Sequence, residues 1–285
     1  FIKPGITAYN LRVSVSTHIG KVRGNHEDNF YLEGLRLNEI FRNDFSATYT
    51  ISDADGMSFA VFDGMGGAAY GEIASEIAVQ TMKKYERRLK NAEGMRAVDQ
   101  IVTEFVTEAN NSICDMLREK NCLSGGTTFA MLYFIDGLAK LYYLGDSRIY
   151  MQDEEDLICL TRDHTLANQK LDAGIYTEAQ AKKSADQHRL TLYVGVDKNG
   201  LGLNADSRPP VALQPGRKFL LCTDGLVDMC SEQEIQDILS QDYFNEAAVL
   251  VQTAVNYGGI DNVTCIVLEV IPIEEPAELE SDPML

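Results

Sequence analysis

The stretch TTFAMLYFIDGLAKLYYLGDSRIYM, residues 127–151, consists of three apolar runs cut by two Asp/Gly pairs. The runs are Thr127 to Ile135, Leu138 to Leu144 and Ser147 to Met151, with Asp136-Gly137 and Gly145-Asp146 between them. Short runs rich in aromatic and aliphatic residues read as strands, and Asp next to Gly is a tight-turn signal because both tolerate positive φ. Neighbouring strands here are therefore expected to pair antiparallel.

Working outward, Met57 to Phe62 reads as another strand, ending at the abrupt turn Asp63-Gly64-Met65-Gly66-Gly67. Leu11 to Thr17 alternates apolar and polar residues, as a half-buried strand does. Ile73, Ile77, Met82, Tyr85 and Leu89 recur at helical spacing and predict a long helix, which Asn91 to Gly94 breaks. Val98, Ile101, Val102, Phe105, Ala109 and Ile113 then mark one face of a second helix. The polar segment Arg42 to Asp55 reads as a loop insertion. On the other side, residues 164–188 are polar and rich in Ala, Lys and Gln, which predicts short helices or a flap. Strands resume at Leu190 to Val194 and Arg217 to Thr223. Helical stretches near Ser231 to Leu239 and Glu246 to Val255 precede a last strand, Asn262 to Val270. No internal repeat stands out. Strands and helices come in blocks, which places the chain in the α+β class, with antiparallel sheets packed together and helix pairs outside. One domain is expected over 1–271, followed by an acidic, disordered tail over 272–285 that contains Pro272, Pro276 and Pro283.

Composition bounds the function. In 285 residues, 45% are hydrophobic, enough for a sizeable core. The longest apolar run, Phe129 to Ile135, is strand-sized, so no membrane span is expected. A net charge of −18 repels phosphate backbones and argues against nucleic-acid partners. No charged-then-apolar secretory leader is visible. The six cysteines form no CxxC pair and suggest a reducing compartment, so a cytoplasmic protein is expected. A monomer is expected as well.

The chemistry lies in five short segments, most of which end an apolar strand in a carboxylate beside glycine or a turn. They are Gly20 to Asp28 (GKVRGNHED), Val61 to Gly67 (VFDGMGG), Leu144 to Arg148 (LGDSR), Cys222 to Leu226 (CTDGL) and Gly258 to Thr264 (GGIDNVT). A core-anchored strand fixes the direction of the carboxylate that follows it. Several such ends converging would form an all-oxygen cage suited to Mg²⁺ or Mn²⁺. The glycine after Asp63 frees the backbone to bend and to turn the Gly64 carbonyl toward an ion. Zinc would prefer nitrogen or sulfur, and the four histidines show no HExxH spacing.

Together and in this order, VFDGMGG, GDSR, TDGL and DNVT resemble the signature motifs of the metal-dependent protein serine/threonine phosphatases (the PPM family, type 2C), especially the bacterial members. The resemblance runs from about Val13 to Val270. It implies a central β-sandwich of two antiparallel sheets flanked by helix pairs, a four-layer αββα fold. It implies that Asp63 bridges two ions, Mn²⁺ or Mg²⁺, that Asp224 and Asp261 complete the first site, and that the Gly64 carbonyl serves the second. Glu27 and Asp28 would act there largely through water. Asp146, with Asp224, matches a third ion site of bacterial relatives, and Arg23 the arginine that grips substrate phosphate. The implied reaction is hydrolysis of phosphoserine or phosphothreonine in proteins by a water activated between the two ions, reversing a cognate Ser/Thr kinase.

The proton for the leaving oxygen is open at this point. Met65 stands where many eukaryotic relatives carry histidine and cannot be an acid. A metal-bound water comes first, with His26, where relatives usually carry asparagine, as a second candidate. His164 is expected to order the loop that leads into the flap. Where relatives usually show Arg-Asn at the end of that flap, this chain offers Gln187-His188. A rival reading keeps the chemistry but narrows the substrate to one signalling partner. A fold that merely binds phosphoproteins should have lost metal carboxylates, yet Asp63, Asp224 and Asp261 are all present.

Overall fold

The computed structural model describes residues 9–32, 44–66, 70–122, 124–154, 156–196 and 202–273. In chain order these form β1 (Tyr9–His18), β2 (Asn29–Leu32), β3 (Phe45–Ser52), β4 (Ser58–Phe62) and the short β5 (Gly64–Met65). Two long helices follow, α1 (Tyr70–Lys90) and α2 (Met95–Glu119). Next come β6 (Gly126–Thr127), β7 (Phe129–Ile135), β8 (Leu138–Leu144), β9 (Arg148–Asp153) and β10 (Asp156–Cys159). A helical segment holds α3 (Leu166–Asp172), α4 (Glu178–Ala181) and a 3₁₀ turn (Ala185–His188). The chain then forms β11 (Asp206–Ser207), β12 (Val211–Ala212), β13 (Lys218–Cys222), α5 (Asp224–Val227), α6 (Glu232–Leu239), α7 (Glu246–Asn256) and β14 (Val263–Pro272).

The strands build two antiparallel sheets. One runs β10-β9-β13-β14-β1-β3, the other β11-β8-β7-β4-β2, with β12 also on β8. Alternation along each strand decides what it covers. In β7, Leu132 and Phe134 face the opposite sheet, while Met131 and Tyr133 face α1 and α2. In β13, Phe219 and Leu221 face the opposite sheet, while Leu220 and Cys222 face α6 and α7. Both faces of these central strands are thus buried, and they read as continuous apolar runs. The result is four layers, αββα. Phe134 closes the sandwich by meeting Phe59 of its own sheet (5.8 Å) and Phe219 of the other (6.1 Å), both edge to face. Removing such a ring costs about 3–5 kcal/mol.

Helix ends follow local chemistry. Gly94 (φ +82°) breaks α1 from α2, and a Ser231–Glu234 capping box starts α6.

Three expectations are corrected. Gly145-Asp146 is not a hairpin: β8 and β9 lie in different sheets, and Gly145 (φ +104°) lets the chain cross between them. Leu190 to Val194 forms no strand, only isolated bridges at Leu190 and Val194. Arg42 to Asp55 is not simply a loop, since Phe45–Ser52 is the edge strand β3, paired along β1. Its polar look reflects one half-exposed edge. Of the expected tail, residues 274–285 lie outside the described residues.

Candidate active site

All five motif segments meet at one end of the sandwich. Asp63 leaves β4, Asp146 sits on the β8–β9 crossover, Asp224 opens α5 after β13, and Asp261 precedes β14. Arg23, Glu27 and Asp28 lie on the loop from β1 to β2. Arg23, Glu27, Asp63, Gly64, Asp146, Asp224 and Asp261 line one cleft of about 420 Å³. Asp28 sits behind it.

Each position is fixed by its neighbours. The Asp63 N–H donates to Thr128 Oγ1 (2.8 Å), and its carbonyl accepts from the Thr128 N–H (2.8 Å) and Thr127 Oγ1 (3.0 Å). Thr128 Oγ1 in turn meets Ser147 Oγ at 2.6 Å, which ties the VFDGMGG and GDSR segments together. At Gly64 a β-carbon would lie 2.2 Å from the Gly71 carbonyl oxygen and 2.6 Å from that of Glu27, so only glycine fits. Asp28 Oδ2 accepts from Thr223 Oγ1 (2.8 Å) and Thr264 Oγ1 (2.7 Å). Asp146 is steadied through His164: the Gly145 N–H donates to its Nδ1 (3.0 Å), and its ring stacks on Tyr143 at 5.2 Å. His164 orders this crossover and does not line the cleft.

The electrostatics are those of crowded anions. Burial first, then Asp224, Asp28, Asp146 and Asp261, push Asp63 well above the usual carboxylate range. Asp146 is raised in the same way, by burial and then by Asp224 and Asp163. Burial lifts Asp28 to about 8 although two threonine hydroxyls oppose it. Asp224 rises to about 6, through burial and then Asp228 and Asp261. Glu27 is raised by burial, against the pull of Arg23. Arg23 Nη2 meets Asp261 Oδ2 at 2.5 Å, with half of its side chain exposed to the cleft. Asp224 Oδ1 is buried and has no hydrogen-bond donor among the described residues. Convergent carboxylates, mutual repulsion and an oxygen left without a donor all fit hard divalent cations.

The protein phosphatase 2C sequence profile matches residues 36–255. The chain belongs to that family. It is an enzyme, a protein phosphatase. Protein phosphatase PhpP of Streptococcus pneumoniae is 28% identical over 272 residues, covering 94% of this chain and all of that protein. The crystal structure of the Mycobacterium tuberculosis serine/threonine phosphatase PstP/Ppp superposes with a TM-score of 0.74 at 25% identity, covering 93% of this chain and 100% of that one. A structure of the PstP catalytic domain in complex with two manganese ions gives 0.70 at 26% identity, over 92% of this chain and 99% of that one.

In this phosphatase His26 is not placed for acid catalysis. It is buried and absent from the cleft lining, its Nε2 meets Thr17 Oγ1 at 2.8 Å, and burial lowers its pKa to about 4. Thr17 Oγ1 meets Thr264 Oγ1 at 2.7 Å, so His26 ends a buried chain leading to Asp28. Three contributors were given no place in the site from the sequence. Asn262 bolts the Glu27 loop in place, while Asp228 and His188 line the cleft. The DGLVD spacing carried a signal for Asp228, because residues four apart share a helix face.

Proposed function

We propose that this phosphatase hydrolyses phosphoserine and phosphothreonine in proteins with two divalent cations, Mn²⁺ or Mg²⁺, and so reverses a cognate serine/threonine kinase. The observation that carries the reading is the convergence of Asp63, Asp146, Asp224 and Asp261 on one cleft, with Asp224 Oδ1 lacking a donor among the described residues. The names of the related phosphatases and the manganese-bound PstP domain support it.

Asp63, Asp224 and Asp261 would hold one ion. Asp63 and the Gly64 carbonyl would hold the second, with Glu27 and Asp28 serving it largely through water. Asp146 with Asp224 would hold a third. Bound there, the ions would neutralise phosphate charge and make water a stronger nucleophile. The chain's own residues do the rest. Arg23 offers a planar guanidinium to two phosphate oxygens, and its pairing with Asp261 keeps that group at the cleft mouth. Without cations the carboxylates would repel a phosphate ester, so substrate binding depends on metal loading. Asp63 is held at its backbone on both sides, which limits reorganisation during the reaction. With His26 buried, cleft water is the expected proton source for the leaving oxygen.

Six free cysteines suit a reducing, cytoplasmic setting, and among the described residues no helix is long and apolar enough to cross a membrane. We take 1–271 as one catalytic domain acting as a monomer, with 272–285 as an acidic tail.

Turnover of a phosphothreonine peptide tests the proposal. Mn²⁺ should support it, EDTA should abolish it, and Asp63→Asn or Asp224→Asn should lower kcat by roughly 10³-fold, as loss of Lewis-acid stabilisation worth several kcal/mol implies. Undiminished turnover in EDTA would exclude the metal-dependent reaction.

A further inference from the structure

Val22 directly precedes Arg23 on the loop from β1 to β2, and Ile260 directly precedes Asp261 on the loop from α7 to β14. The two side chains are 68% and 56% exposed, among the few large apolar ones that face water in the described residues. Neither lines the cleft itself, so both stand on its rim.

The two loops are locked together on both sides of this pair. The Lys21 N–H donates to the Gly259 carbonyl at 2.7 Å, and Arg23 Nη2 meets Asp261 Oδ2 at 2.5 Å. One residue of each loop lies between these cross-links, so Val22 and Ile260 share a rung. The backbones are packed without slack: at Gly20 (φ +85°) a β-carbon would lie 2.3 Å from the Asp261 carbonyl oxygen. Asn262 Nδ2 ties the same loops again through the Ile19 carbonyl (2.8 Å). Met229 Sδ and Ile260 Cγ1 would both stand within 3.7 Å of a β-carbon on Gly258, which extends the apolar surface toward the end of α5.

Single apolar side chains on a surface are ordinary. Here two branched ones, from opposite ends of the chain, are held on one rigid frame beside the guanidinium that faces the cleft. Such a frame cannot fold over to hide them, and it offers a ligand an apolar contact that is already in place.

We infer that Val22 and Ile260 form an apolar subsite for the residue adjoining the phosphoserine or phosphothreonine, and so select phosphoprotein segments with a leucine-like side chain there. The inference rests on the proposed function and deepens it by naming a sequence feature of the substrate. With the phosphate at Arg23, the adjoining residue lies about 3.8 Å from the phosphorylated one, Cα to Cα, and its side chain reaches the rim. The cleft floor is rich in carboxylates, whereas the rim lets an apolar side chain leave water.

Three phosphothreonine peptides that differ only in the two flanking residues (leucine, serine or lysine on both sides) test this with the Mn²⁺-loaded protein. kcat/KM should be about 10-fold higher for the leucine peptide than for the serine peptide, as partial burial of one aliphatic side chain implies. The difference should lie in KM, because contacts made equally in the ground and transition states leave kcat unchanged. The double variant Val22→Ser, Ile260→Ser should bring the ratio close to one, each single variant should fall between, and Val22→Ile should keep the preference. Comparing peptides within each protein cancels any general loss of activity. A wild type that turns over the leucine and serine peptides equally well, or a preference that survives the double substitution, overturns the inference and leaves the metal-dependent reaction standing. Faster turnover of the lysine peptide than of the leucine peptide also overturns it, because the net charge of −18 would then be what selects. No turnover of any of the three peptides overturns the proposed function and this inference together.

Discussion

Asn262 Oδ1 accepts the backbone N–H of Glu27 at 2.7 Å. Its Nδ2 donates to the carbonyls of Ile19 (2.8 Å) and Asn25 (3.0 Å). One buried amide thus bolts the loop bearing Arg23, Glu27 and Asp28 to the residue that follows Asp261. Asn262→Ala leaves these backbone groups without partners, at about 1–3 kcal/mol for each one left buried. We expect a loss of about 2–4 kcal/mol in stability and ~10–100-fold weaker Mn²⁺ binding, as for other residues that orient metal ligands. Thermal unfolding and Mn²⁺ titration measure the two effects. Unchanged Mn²⁺ affinity would mean that the loop is held by other contacts.

Gly64→Ala is expected to damage the site more than the fold. The added methyl would have to displace backbone at Gly71 and Glu27, and both belong to elements that frame the cleft. Displacement of this kind typically costs about 1–3 kcal/mol. The protein should still unfold cooperatively, with Mn²⁺ binding and phosphopeptide turnover largely lost. Near-normal turnover would show that the Gly64 carbonyl is not a ligand.

Stability should depend on pH with a sign set by the carboxylates. Asp28 is raised to about 8, and Asp63 and Asp146 well above their ordinary value. The folded state keeps protons that the unfolded chain gives up near 3.8, so their contribution is full below that pH and is lost as pH rises toward 8. His26, lowered from 6.5 to about 4, acts in the opposite sense, and stability is gained from it as pH rises across that window. Above about 6.5 the imidazole is neutral in both states. In EDTA, Tm should therefore fall between about pH 6.5 and 8. Mn²⁺ should restore it, more so at the higher pH, because the ion replaces protons. A flat Tm in EDTA over this range would contradict the crowded-anion description.

His26→Asn should leave both kcat and the pH profile of phosphopeptide turnover intact. The imidazole is buried behind Asp28 and meets Thr17, not the cleft. A lost limb in the pH profile would return His26 to the chemistry.

Much of the fold was legible because periodicity and burial agree. The continuous apolar run Phe129 to Ile135 is a strand covered on both faces, and Met82, Tyr85 and Leu89 lie on the buried face of α1, while Ile73 and Ile77 of the same series are half-buried. What was misread was local geometry that only the tertiary arrangement decides. Gly145-Asp146 has the chemistry of a hairpin, yet the chain turns from one sheet into the other, and that crossover carries Asp146 to the cleft. Leu190 to Val194 has strand composition, but beyond isolated bridges it has no partner strand among the described residues. Phe45–Ser52 looked polar because an edge strand shows solvent one side of its alternation. Within the site, Asp63, Asp146, Asp224 and Asp261 were legible as carboxylates beside glycine or in turns. The places of His188 and Asn262 in the site were not, because they depend on distant segments brought together in space.

The most direct test of the metal centre is anomalous diffraction from a crystal soaked in Mn²⁺. We expect at least two peaks flanking the Asp63 carboxylate, one also contacting Asp224 and Asp261, the other the Gly64 carbonyl. Full Mn²⁺ loading with no peak at Asp63 would contradict the assignment of this cleft as the catalytic centre.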